Sequence, residues 1–525
     1  MQDPAVTRPS AAPAWRPIRW GPGALVVVAT VAAFLPTLDN GFLSSWDDPA
    51  NFADNPHYRG LGPSRLIWML TTFHMGHWIP LTWMTLGLDY LIWGMNPRGY
   101  HATSLALHAA TALVLYLVAF RLLRLALPGA REPDLRWGAA AAALFWAMHP
   151  LRAESVAWAT ERRDVLSGFL YAAAVWAYLG ASEPGAPSSR GRYWAAFALF
   201  TGALLSKSIT VTLPVALLVL DVYPLRRLGG RRGWREPRVW LEKAPFFAAA
   251  AAVSAVAFWA LFTLGNIATL EGMGIGQRLV LAVYGLGFYL WKTLVPLPLS
   301  PFYPFDVHVS WLHFAAVIAA TLVATLCWRR WPAFTAVWAV YTVTLLPVLG
   351  VFQNGPQPVA DRYTYLASMG WMVLVGAGMA RRWAGVNVVR AVAVVWVVAL
   401  AWLTWQQVGI WRNSATLWTQ VTVLYPESRV GHFNLAEAYE REGRYAEALA
   451  HYSEVKRLSR GHPRWYVPIG RMYELSGVGA EALRFYRRAL SESPRLPEAC
   501  EAARRLAAVL GERLPELETC PRGPA

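Results

Sequence analysis

The chain has 525 residues, of which 56% are hydrophobic and 15% charged, with a formal net charge of +16. That much apolar surface excludes a single soluble domain, and because it falls in blocks of bilayer length the chain reads as a polytopic membrane protein. The positive charge does not mark a nucleic-acid partner: the arginines cluster in short loops between apolar blocks, where they act as topology signals.

Arg8, Arg16 and Arg19 precede a first apolar run near 22–38 that lacks a small-residue cleavage site. This places the N-terminus in the cytoplasm and the following Ser45-Trp46-Asp47-Asp48-Pro49 outside. The stretch 64–93, rich in Trp, Met and His and broken by Pro80, reads as helices lying in the interface. Spans are predicted near 101–123, 137–149, 165–181, 193–206 and 209–223, with the Arg-rich loops 121–136, 190–192 and 226–238 inside. Asp221, near the cytoplasmic end of its span, is read as structural. Further spans follow near 244–264, 311–328, 332–350, 365–380 and 388–406, with Arg329, Arg330, Arg381 and Arg382 inside and 351–364 outside. The segment 278–296 is read as an interfacial or re-entrant helix ending at Pro296 and Pro298, since a crossing there would reverse the side of everything after it. The expectation is an all-α fold: a membrane domain over 1–406 with about eleven transmembrane helices, then a soluble helical array over 407–525.

The array is announced by an internal repeat. Leu435, Ala436, Tyr439, Gly443, Ala448 and Tyr452 recur 34 residues later as Ile469, Gly470, Tyr473, Gly477, Ala482 and Tyr486. That period, with small residues where helices touch and aromatics between them, is the pattern of a tetratricopeptide helix pair. Trp418 and Pro426 mark a preceding half repeat, and 497–511 a terminal capping helix. Cys327 lies in an apolar span, whereas Cys500 and Cys520 can pair in an oxidising compartment; no metal-type Cys spacing occurs.

Polar groups gather at the expected outer ends of the spans: Asp47 and Asp48; His74 and His77; His149, Arg152 and Glu154; Glu161, Arg162, Arg163 and Asp164; Lys207; and Asp361-Arg362-Tyr363. Ionisable groups at membrane depth are costly unless hydrated, paired or functional. A polar cavity rimmed by acids and arginines suits a reaction between a lipid-borne phosphate substrate and a water-soluble acceptor, a carboxylate taking the acceptor's proton while Arg or Lys stabilises the departing phosphate. Bland alternatives stand beside each. Asp48 before Pro49 can simply cap a turn, Glu154 and Arg163 can pair with each other, and His74 and His77 suit hydrogen bonding better than metal ligation.

Trp46-Asp47-Asp48 with Asn51 and Asn55, His149-Pro150 with Glu154-Ser155-Val156, Arg163-Asp164-Val165-Leu166-Ser167, Leu204-Leu205-Ser206-Lys207, Asp361-Arg362-Tyr363-Thr364-Tyr365-Leu366 and a trailing repeat array follow one another in this order. In that order they resemble the transmembrane and tetratricopeptide-containing O-mannosyltransferases and their bacterial relatives. The resemblance implies a GT-C membrane fold that moves a sugar, mannose or another hexose, from a polyprenyl-phosphate donor to Ser or Thr hydroxyls of extracytoplasmic proteins. By position it makes Asp47 or Asp48 the general base or acceptor-orienting group, and Arg362, Arg163 and Lys207 the donor-phosphate ligands. His149, Glu154 and Tyr363 would complete the substrate cavity. The lipid-linked sugar is then a co-substrate; no cofactor is otherwise implied, and the need for a divalent metal stays open. The acidic residue usual after the family's Lys is Ser208 here. The Arg- and Ala-rich composition resembles that of a high-GC bacterium. This implies the inner membrane, with the active site and the array facing the periplasm and the array available to a protein acceptor. Two other readings compete: modification of a surface polysaccharide or lipid, and a non-catalytic membrane anchor whose repeats recruit partners.

Overall fold

The computed structural model describes residues 21–182, 189–229, 233–263, 273–305, 310–350, 357–382, 387–460 and 462–520. Arg8, Arg16 and Arg19 and parts of the 226–238 and 351–364 loops lie outside the described residues. Among the described residues the chain is helical, with no strand. The first half comprises α1 (Gly21–Phe34), α2 (Pro63–Thr71), α3 (Pro80–Trp93), α4 (Pro97–Ala126), α5 (Glu132–Ala147), α6 (Ala153–Ala157), α7 (Arg162–Ser182), α8 (Ser189–Leu204) and α9 (Leu213–Val222). Then come α10 (Pro237–Thr263), α11 (Ile275–Leu294), α12 (Trp311–Leu326), α13 (Pro332–Leu345), α14 (Thr364–Ala367), α15 (Met369–Arg382) and α16 (Asn387–Ile410). Prolines open α2, α3, α4 and α13, where the fixed φ suits the first helical position and the missing N–H costs nothing.

Every expected span corresponds to a helix, but length divides them. Five stretches are long and apolar enough to cross a membrane: Gly21–Asp39, Pro97–Ala126, Ala159–Ser182, Pro237–Phe262 and Val388–Ile410. Ser208–Val222, Trp311–Leu326 and Pro332–Val348 are apolar but shorter. The short α5 and α15 lie backbone to backbone. A Cβ on Gly138 would meet Gly376 O at 2.7 Å and one on Gly376 would meet Gly138 O at 2.7 Å, so only glycine permits this crossing. α7 packs between α4 and α8. Its C-terminal end is fixed by a buried ionic knot: Asp221 accepts from Tyr178 (2.9 and 2.7 Å), Lys243 (2.7 Å) and Arg227 (3.1 Å). Asp221, Lys243 and Tyr178 are all buried, which gives Asp221 the structural setting its position suggested.

The array follows as α17 (Ser414–Leu424), α18 (Arg429–Arg441), α19 (Tyr445–Leu458), α20 (Tyr466–Leu475), α21 (Gly479–Glu492) and α22 (Pro497–Leu510). Its contacts repeat with the sequence period. Tyr452 donates to Glu440 at 2.8 Å as Tyr486 does to Glu474 at 2.7 Å, and Arg471 reaches Glu440 at 2.8 Å as Arg505 reaches Glu474 at 3.1 Å. Gly443 and Gly477 close equivalent helices at φ of 75° and 78°, left-handed geometry that favours glycine. Cys500 and Cys520 form a disulfide with Cα atoms 5.8 Å apart.

The array's first helix is bound to the loop after α1. Gly41 N donates to Arg412 O at 2.9 Å, and Ser45 N donates to the Ser414 hydroxyl at 3.1 Å. Trp46 packs on Trp158, Trp411 and Trp418 with ring centroids 4.8, 6.1 and 4.9 Å away. Trp411, Leu417, Trp418 and Val421 belong to the same buried core as α4, α5 and α7.

Candidate functional site

Asp47 and Asp48 are adjacent yet differently placed. Asp48 is buried and fully partnered: Oδ2 accepts from Leu43 N at 2.7 Å, and Oδ1 from Trp158 Nε1 at 2.8 Å and Thr160 Oγ1 at 2.6 Å. Asn51 in turn donates to the Thr160 hydroxyl at 3.0 Å, aiming it at Asp48. Burial pushes the Asp48 carboxyl up to about 7 against the pull of those donors. Asp48 therefore ties the first loop to the start of α7. Asp47 is only partly buried; its backbone carbonyl accepts from Asn51 N at 3.0 Å, while its carboxylate has no hydrogen-bond or ion-pair partner among the described residues. Burial raises its carboxyl above the ordinary range despite the nearby Arg163 and Arg362.

The centre of the site is Glu161, in the tight turn Ala159–Glu161 before α7. Arg163 grips its carboxylate bidentately at 2.6 and 3.1 Å, Lys207 donates to it at 2.9 Å, and Arg362 Nε stands 3.4 Å away. Lys207 also donates to Asp164 at 2.5 Å, and Asp164 accepts from Ser155 at 3.0 Å. Arg362 binds Glu154 twice, through its guanidinium and through its backbone N at 2.8 Å. The sequence alternative of a Glu154–Arg163 pair is corrected here. Glu154 pairs with Arg362 and Arg163 with Glu161, because the turn at 159–161 brings Glu161 beside Arg163. Nor does Ser208 leave Lys207 without an acid, since Glu161 in the turn before α7 and Asp164 in its first turn both pair with it.

The arrangement is layered. The carboxylates form the floor, with side-chain exposures of 0% for Glu161, 2% for Glu154 and 6% for Asp164. Lys207 at 14% and Arg163 and Arg362 at 11% each form the accessible lip. Buried acids thus hold three cations in place, each with part of its side chain still accessible to an incoming anion. Burial raises the Glu154 carboxyl, and at the far side Asp361, which accepts from Tyr303 at 2.9 Å, is pushed up to about 8.

The remaining expected site residues are more remote. His149 is buried and committed: its Nε2 contacts Thr293 O at 3.1 Å and its Nδ1 accepts from Leu151 N at 3.3 Å, which fixes the end of α11 rather than opening onto the lip. Tyr363 carries the Arg362 guanidinium over its ring at 4.9 Å. Arg152 is buried between Trp146 and Tyr365 and donates to Thr364 at 2.7 Å. Arg162 turns away to Asp89 at 2.7 Å, anchoring α3 and α4. Glu161 and Asp164 were among the polar groups expected at the outer span ends but were given no role in the site, and Trp158 and Thr160 were not singled out. Carboxylates just before and within the first turn of a long apolar helix were the available signal for Glu161 and Asp164. Among the described residues no group of three or more His, Cys, Asp or Glu side chains is arranged to hold a metal ion.

The tetratricopeptide-repeat family pattern matches residues 430–462, spanning α18 and α19. The chain is 24% identical to human protein O-mannosyl-transferase TMTC1 over 541 residues, covering 88% of this chain and 57% of that protein. It is 22% identical to Drosophila melanogaster protein O-mannosyl-transferase Tmtc3 over 483 residues, covering 78% and 51%. Its curated relatives are protein O-mannosyl-transferases. A 153-residue stretch reaches 32% identity with Drosophila melanogaster protein O-mannosyl-transferase Tmtc1, covering 28% of this chain and 16% of that protein. The chain spans about half the length of the first two relatives. Among solved structures, ArnT from Cupriavidus metallidurans bound to undecaprenyl phosphate is 15% identical, covers 89% of this chain and 80% of its own, and superposes with a TM-score of 0.35, too low to fix fold or function.

Proposed function

We propose that the protein is a membrane glycosyltransferase that moves a hexose from a polyprenyl-phosphate donor to a Ser or Thr hydroxyl of an extracytoplasmic protein. One observation carries the reading: Asp47, a carboxylate without a protein partner, borders a lip of three cations that are held from beneath by buried acids. A phosphate docks on Arg163, Lys207 and Arg362, its charge matched by the three cations. Asp47 takes the proton of the acceptor hydroxyl as that oxygen bonds to the sugar's anomeric carbon. The bond from that carbon to the phosphate oxygen breaks, and the electron pair leaves with polyprenyl phosphate. Attack from the face opposite the leaving group inverts the anomeric centre. The names of the relatives, and the GT-C architecture implied by the motif order, agree with this chemistry.

This reading places the site and the array on the periplasmic side of a bacterial inner membrane, the array presenting the protein acceptor. The test uses the full chain in lipid nanodiscs with undecaprenyl phosphate mannose and a Ser/Thr-rich acceptor protein. Transfer is expected from the wild type and, slowed by on the order of a hundredfold or more, from Asp47→Asn. Absence of both donor binding and transfer in the wild type would sink it.

A further inference from the structure

A side chain outside the cation lip lies between two segments that border it, the loop after Asp48 and the turn before Lys207. His77 follows a turn, His74–Gly76, in which Met75 (φ 51°) and Gly76 (φ 80°) both take left-handed backbone. A non-glycine residue there is strained, and such strain persists only where the surroundings impose it. Contacts on both sides hold this segment: His74 Nε2 meets Ala50 O at 3.0 Å, and after the turn Leu81 N donates to Leu205 O at 3.0 Å and Thr82 Oγ1 to Ser206 O at 3.0 Å. The first ties the turn to the loop just after Asp48, and the other two tie the start of α3, four and five residues beyond His77, to Leu205 and Ser206 just before Lys207.

The clamped turn presents an imidazole with no hydrogen-bond partner among the described residues, in the field of Arg163, Lys207, Arg362 and Glu161. Burial, reinforced by the three cations, holds His77 down to about 3, so it stays neutral at physiological pH. A neutral imidazole keeps one nitrogen lone pair, which can accept from a sugar hydroxyl but finds no proton on an ionised phosphate, and the cations already serve the phosphate. We infer that His77 is a specificity residue that hydrogen-bonds a hydroxyl of the transferred sugar while the lip holds its phosphate. This rests on the function proposed above.

The test compares two ligands on the full chain in nanodiscs: undecaprenyl phosphate, and the same lipid carrying mannose or glucose. His77→Ala is expected to weaken the sugar-bearing lipid about tenfold and leave the bare lipid phosphate unchanged, with part of the affinity restored in His77→Asn, which keeps a donor and an acceptor. Equal weakening of both lipids in both variants would show a scaffold or phosphate role and overturn the assignment, as would unchanged affinity for both. Wild-type protein that binds neither lipid overturns the proposed function itself, an outcome visible before any variant is compared.

Discussion

Glu161 and Lys207 lie 46 residues apart in sequence and meet at 2.9 Å, with the Glu161 carboxylate entirely shielded from solvent. Since the same carboxylate also holds Arg163, Glu161→Gln leaves three neighbouring cations without their central counter-charge. Breaking a buried pair typically costs about 3–5 kcal/mol. A fall of that order in unfolding free energy is expected, together with loss of donor binding. The double variant Glu161→Gln, Lys207→Met should be less destabilised than the sum of its parts. Chemical unfolding of the four proteins in one detergent measures this, and additive losses would contradict the coupling.

The two adjacent aspartates should separate experimentally. Asp47→Asn is expected to lower turnover by on the order of a hundredfold or more with the thermal midpoint unchanged. Asp48→Ala orphans three buried donors and should destabilise the protein by at least about 2 kcal/mol. Turnover and thermal unfolding on the same preparations decide it, and the opposite pattern would move the base to Asp48.

A pH profile gives a second view of Asp47. Its carboxyl is raised above the ordinary value, chiefly by burial, so the proton-accepting form appears only as pH rises through that raised pKa. Activity should therefore fall on the acid side, above pH 3.8, with a limb that a solvated aspartate would not produce. His77, held near 3, should add no inflection between pH 5 and 8. The residual activity of Asp47→Asn should be flat across the limb; a limb that persists there would assign it to another group.

The disulfide closes a loop between positions 20 residues apart, a constraint worth about 3 kcal/mol on the array. Cys500→Ser with Cys520→Ser should lower the array's midpoint without changing binding of the lipid donor. Differential scanning fluorimetry with and without reductant checks it, and insensitivity to reductant would mean the pair adds nothing.

The helices and the array were legible from the sequence because both signals are periodic: apolar blocks of bilayer length, and a 34-residue repeat whose Gly443 and Gly477 adopt matching turns. The charge pairing was not. Spacing along the chain suggested Glu154 for Arg163, but partners are set by which turns face each other across helices, and Arg362 arrives from some 200 residues away to take Glu154. Helix bounds were only loosely legible: α4 runs Pro97–Ala126 against an expected 101–123, and α5 Glu132–Ala147 against 137–149. α5 and α15 bury their glycine faces in each other, so their composition reflects a helix crossing as much as lipid.

The bond from Ser45 to Ser414 and the stacking of Trp46 on Trp418 have a consequence for anyone exchanging arrays between relatives. A graft joined at residue 407 would discard the partner of the loop carrying Asp47 and Asp48. Joined after Leu424, it would keep α17 with its parent bilayer helices and replace only the helix pairs beyond. Recipients of the second kind should retain donor turnover while taking their choice of protein acceptor from the donor of the array.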